Sequence, residues 1–198
     1  MTQLPARRIG LCALAAATLL LIQTPAQAQQ APPPGVPARD GSHDFDFLIG
    51  DWKAHLKQLV DPLTGSNKWV EYEGISQTHK IPGGNANWEE FKVDAVKEDL
   101  HKHGQTLRLY NPASHQWNIY LVDVDKGTLG LPPTVGGWVD GHIELFDYED
   151  WKGRWIFVRY IWTPQGPNKA HFEQSFSTDG GKTWEANWIL DLTREGTS

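Results

Sequence analysis

Trp184-Glu185-Ala186-Asn187-Trp188-Ile189-Leu190-Asp191-Leu192-Thr193-Arg194 decides the fold class. Trp184, Ala186, Trp188, Leu190 and Leu192 share one parity, and Glu185, Asn187, Asp191 and Thr193 share the other. A period of two belongs to a half-buried β-strand, and it predicts that the even-numbered side chains point into a core. Working upstream, Ala170–Ser177 repeats the pattern, with Phe172, Gln174 and Phe176 on one face. Gln174 is then a polar group on an apolar face and needs a partner. Trp155–Thr163 is apolar on both faces: Trp155, Phe157, Arg159 and Ile161 alternate with Ile156, Val158, Tyr160 and Trp162.

Further upstream, Trp52–Val60, Lys68–Thr78, Ala86–Val93, Thr106–Tyr110, Trp117–Val124 and His142–Tyr148 read as strands. They are separated by turns such as Pro82-Gly83-Gly84-Asn85 and Asn111-Pro112-Ala113-Ser114. Lys97–Gln105 reads as a polar stretch, and Leu129–Gly141, rich in Gly and Pro, has room for one short strand. No amphipathic helix of useful length is present; Phe45–Ile49 reads as a short helical turn. Sequential hairpins of this kind predict an all-β, single antiparallel up-and-down barrel of about 8–10 strands, which also removes exposed sheet edges.

The first 42 residues read differently. Arg7-Arg8, the apolar run Ile9–Ile22 and Ala26-Gln27-Ala28 have the layout of a signal peptide cleaved after Ala28, and the run is too short to span a bilayer. The expected location is the periplasm or the exterior, by Sec or twin-arginine export. Residues 29–42, with four prolines, read as a disordered arm, and 43–198 as the barrel domain. Removing 1–28 takes away two arginines and no acid, leaving 16 basic against 24 acidic side chains. That balance excludes nucleic acid and anionic membrane surfaces as natural partners. The lone cysteine, Cys12, lies in the signal, so thiol chemistry and disulfides are excluded from the domain.

Phe47-Leu48-Ile49-Gly50-Asp51-Trp52 resembles the opening of calycin barrels, in which a Gly-x-Trp follows a short helical turn. The resemblance implies that Trp52 packs under an arginine from the barrel's end, here Arg194, as a cation–π stack. His43-Asp44-Phe45 through Trp52, Gly83-Gly84, Arg159, and Ser177-Thr178-Asp179-Gly180-Gly181-Lys182-Thr183-Trp184 on to Arg194 together resemble the bacterial domain of unknown function 1579. That family implies a calycin-like, lipocalin-like barrel and no established reaction. Ser177-x-Asp179-x-Gly181-x-x-Trp184 also matches an Asp-box; a single copy makes it a structural turn, because a propeller needs several.

An aromatic-rich barrel of this strand count has width for one ligand. The expected partner is a small hydrophobic or aromatic molecule with one polar end. The candidate contacts are Trp88, Glu90, Glu144, Phe157, Arg159, Phe172, Gln174 and Trp188, with Gly50, Trp52, Asp179, Gly181, Trp184 and Arg194 as structural residues. Arg159 would hold a ligand carboxylate or enolate oxygen, and a desolvated Glu90 or Glu144 would act as a base. Two alternatives accompany this reading. One is a cofactor-free isomerase or cyclase using Glu and Arg; the other is a structural protein with a filled barrel. No spacing calls for a metal or a cofactor: His101-Lys102-His103 lacks a further ligand at fixed distance and reads as a solvated loop.

Overall fold

The computed structural model describes residues 39–95 and 100–196; the expected signal peptide, and the arm before residue 39, lie outside them. One 3-10 turn, Asp46–Leu48, precedes eleven strands. These are β1 Gly50–Leu59, β2 Trp69–Lys80, β3 Ala86–Ala95, β4 Leu100–Asn111, β5 Gln116–Asp123, β6 Thr128–Leu129, β7 Thr134–Val139, β8 His142–Trp151, β9 Arg154–Pro164, β10 Lys169–Ser177 and β11 Glu185–Arg194. Ten of them form an antiparallel ring, in the order β1-β2-β3-β4-β5-β7-β8-β9-β10-β11 and back to β1, while the two-residue β6 pairs only with β5. The all-β, antiparallel up-and-down barrel expected from the period-two pattern and its hairpins is the fold observed.

Two glycines let the wall close. A Cβ on Gly74 would stand 2.3 Å from the Lys92 carbonyl oxygen, and one on Gly136 only 1.9 Å from that of Glu144. Both positions therefore need a residue without a side chain. One end is plugged by residues 39–49. Phe45, Leu48 and Trp52 are buried there. The Trp117 indole donates to Gly41 O at 2.9 Å, and Gly41 N donates to the Tyr110 hydroxyl at 3.1 Å. Arg39 grips Asp44 with bonds of 2.7 and 2.5 Å. Residues 39–42, assigned to the arm by composition, are thus fastened to the barrel, and Asp44 serves Arg39 rather than capping the turn. Across this plug the Arg194 guanidinium lies 4.1 Å from the Trp52 ring centre and donates to the Ile49 and Phe47 carbonyls at 2.8 and 3.1 Å.

In the stretch leading into β11 two facing assignments, Trp184 and Ala186, differ from the alternation argument, for one reason. Gln174 opposes Trp188 but Ser175 opposes Ala186, so Asn187 is an extra residue, a β-bulge. Trp188, Leu190 and Leu192 face in as expected. Upstream of the bulge the parity flips, which sends Trp184 and Ala186 outward. There Trp184 lies beside Phe146, and the Arg159 guanidinium sits 4.6 Å over its ring. Gln174 finds its partner in the bulge, donating to Asn187 Oδ1 at 2.8 Å. Strand β4 starts at Leu100, so His101-Lys102-His103 belongs to a strand rather than to a loop.

Candidate ligand site at the open end of the barrel

Directly opposed residues of an antiparallel pair share a face, so the register sorts the barrel's charges. Asn87, Glu89, Phe91 and Val93 of β3 face in, as do Arg108 and Tyr110 of β4. Near the plugged end Arg108 is 1% exposed and fully engaged on its terminal nitrogens: one pairs with Glu89 and the other donates to Asn87 Oδ1 at 3.0 Å. The second Glu89 oxygen accepts from Ser76 Oγ at 2.6 Å. The Phe45 and Trp162 rings each lie 5.4 Å from the guanidinium carbon. A buried ion pair survives only with such company.

From there a chain of rings climbs the interior, Phe45 to Trp162 at 6.4 Å, Trp162 to Phe172 at 4.6 Å and Phe172 to Tyr160 at 5.3 Å. It ends where the wall is incomplete. Short β7 pairs with β5 only over Trp117–Ile119 and with β8 only over His142–Phe146. Beyond those residues β5 and β8 part, leaving a lateral recess of about 460 Å³. Its lining includes Ile119, Leu121, Leu131, Thr134, Asp147, Glu149, Trp155 and Tyr160. A neighbouring hollow of about 570 Å³, bordered by Phe91, Gly104 and Leu129, meets it at Leu121 and Gly130. The rim is apolar and wet: Leu131 is 73% exposed, Trp155 69%, Leu121 52% and Tyr148 50%.

Two acids point into this recess. Asp147 opposes buried Val158, and Glu149 opposes buried Ile156. Desolvation pushes both carboxyls above their ordinary range. A backbone bond from Tyr148 N partly offsets this for Asp147, and the charge of Asp147 adds to it for Glu149. Tyr160, buried beside them, is pushed up by desolvation and then by the Glu149 charge, although its hydroxyl shares a hydrogen bond with Thr134. Among the described residues no lysine, arginine or histidine forms an ion pair with Asp147 or Glu149.

The residues expected to bind are divided by this geometry. Phe172, Gln174 and Trp188 face the interior. Phe172 supports Tyr160 from below, Gln174 is tied to Asn187, and Trp188 packs near Phe91 at 6.5 Å. Trp88, Glu90, Glu144, Phe157 and Arg159 face outward, against expectation, because their buried strand neighbours Asn87, Glu89, Ile143, Leu145, Ile156, Val158 and Tyr160 hold the inward parity. Glu90 pairs with Lys92 at 3.1 Å, although it borders the larger hollow. Arg159 meets Glu144 at 3.9 Å and Glu173 at 4.0 Å on the outer wall, so the Glu–Arg couple of the isomerase reading is not assembled in a cavity. The acids that do face in were missed, though the signal was present: Ile143, Leu145, Asp147 and Glu149 continue one parity, and the apolar stripe ends in two carboxylates. The Asp179 turn is a closed hydrogen-bond unit. Bonds from Thr183 N at 3.0 Å and Thr183 Oγ1 at 2.7 Å, then from Ser177 Oγ at 2.8 Å, hold that carboxyl far below its usual range.

A solved structure shares this fold. An S-type phycobiliprotein lyase from Guillardia theta superposes with a TM-score of 0.56 over 81% of this chain and 95% of its own, at 13% sequence identity. At that identity the likeness concerns the barrel alone. No protein-family model matches the chain, and no curated protein does.

Proposed function

We propose that this protein is a small-molecule-binding barrel which takes a largely apolar ligand, with one polar end, at the lateral opening between β5 and β8. The observation that carries the reading is the coincidence of three features at one place: a gap in the wall, exposed apolar side chains around it, and desolvated polar groups behind it. Pockets for small molecules combine apolar lining with a few convergent polar groups, and single surface patches on monomers seldom do. The shared fold with a phycobiliprotein lyase, a protein named for work on a pigment-bearing protein, is compatible with such a role. Export after cleavage at Ala28, and kinship with the domain of unknown function 1579, form part of the same proposal.

The test is a ligand-library melting screen combined with native mass spectrometry on the mature protein. Binding of apolar compounds that protects Trp155 fluorescence from a quencher supports the reading. No mass adduct and no melting shift across broad chemistry overturns it. N-terminal sequencing of the protein recovered from the periplasm tests the cleavage site.

A further inference from the structure

We infer that the ligand's polar end is a cation, so that the site selects apolar molecules carrying a protonated amine or a quaternary ammonium. The inference rests on the binding reading above and adds the sign of the recognised charge. The recess supplies the volume and the apolar walls; Asp147 and Glu149 decide what polar group can enter. Around them stand Ile156, Val158 and Tyr160 from β9, Thr134 from β7, and Ile119 and Leu121 from β5. None of these six carries a charge at neutral pH, a third acid, exposed Asp150, borders the recess, and among the described residues the full positive charge inside the barrel, that of Arg108, is committed to Glu89 at the plugged end.

The three classes of ligand then differ clearly. An anion would enter a space of reduced dielectric already holding two like charges. A neutral apolar molecule would strip water from two carboxylates and return nothing to them. A cation completes both carboxylates at once, and the Trp155 ring at the rim can take a face of an alkylammonium. The expectation that Arg159 would capture a carboxylate is therefore reversed: that arginine is on the outside, and the group waiting within is acidic.

The experiment uses three fluorescent probes with one apolar body: diphenylhexatriene, its trimethylammonium derivative and its propionic acid derivative. The quaternary ammonium cannot titrate, so any pH dependence of its binding belongs to the protein. The expected result at neutral pH is preference for the cationic probe over the other two by on the order of tenfold or more. That preference should fade on acidification as the two carboxyls take up protons. The near-isosteric double substitution Asp147→Asn with Glu149→Gln should remove the preference while leaving the neutral probe bound. Equal binding of all three probes, or a preference for the anion, overturns the inference while leaving the binding reading in place. Failure of every probe to bind wild-type protein overturns both.

Discussion

The plugged half of the barrel and its open half are built from the same strands, yet they treat charge in opposite ways. Near the plug, Arg108 and Glu89 are sealed in and neutralise each other, with Asn87, Ser76 and two flanking rings around them, while the Arg108 Nε finds no hydrogen-bond partner among the described residues. Near the opening, Asp147 and Glu149 are partly desolvated, with no basic partner among the described residues, and apolar side chains stand in water around them. A structure that can neutralise buried charge at one end and does not at the other has left free energy unspent at the second. That is the physical meaning of a candidate site here.

The largest way to break the comparison is at the plug. Arg108→Ala should cost about 3–5 kcal/mol in urea unfolding, because it leaves the Glu89 carboxylate buried without its counter-charge. The double substitution Arg108→Met with Glu89→Leu should cost much less than the sum of the single changes, since the pair then disappears together. Additive losses would mean that the two side chains do not act as one unit. Gly136→Ala comes next. Its new methyl would stand 1.9 Å from the Glu144 carbonyl oxygen, at the strand whose shortness creates the gap, whereas a methyl on Gly137 would meet nothing nearer than 3.6 Å. A loss of about 1–3 kcal/mol at residue 136, with little at 137, is expected by thermal melting. Equal effects at both would remove the close approach as the reason for glycine.

The open half should respond in the other direction. A carboxyl whose folded titration lies above its unfolded one stabilises the fold most at pH values below the unfolded value, and that contribution is lost as pH rises through the folded value. Asp147→Asn with Glu149→Gln should therefore raise stability at neutral pH, by a fraction of a kcal/mol to about 1 kcal/mol after solvent screening. The gain should vanish on titration below about pH 4, where wild type is protonated in both states. Destabilisation at neutral pH would show that the two acids serve the fold after all.

Strand count and barrel closure were legible because they depend on period two and on turn chemistry, both written locally in the chain, whereas the Gly-x-Trp opening was legible through its resemblance to calycin barrels. Facing was less so. One inserted residue, Asn187, reverses the parity upstream of it, and nothing in Trp184–Arg194 marks it, since the even-numbered stripe reads continuously through the bulge. In β9 both faces are apolar because the outer one is also covered, by Tyr148 against Phe157 at 4.0 Å and by Trp184 over Arg159. The lateral opening was illegible for another reason. It arises from the length of β7 relative to β5 and β8, a long-range pairing that no local window contains. Asp147 and Glu149 could have been found, because they share a parity with Ile143 and Leu145; Glu144 drew attention only while the parity of its strand was unknown.

The smallest expected effect on stability carries the sharpest information on function. Trp155 is the first aromatic after the Lys152-Gly153 turn between β8 and β9, is largely exposed, and opposes Asp150 rather than any core residue. Trp155→Ala removes little buried surface, so unfolding should change by less than about 0.5 kcal/mol. If the rim only decorates the outside of a filled barrel, affinity for apolar probes should be equally indifferent. If the recess is a binding site, the same substitution takes a large ring from its edge and should weaken probe binding severalfold while the melting curve stays in place. A fall in both together would place Trp155 in the structure of the barrel; a fall in binding alone would separate the open half, as the part that recognises, from the plugged half, as the part that holds.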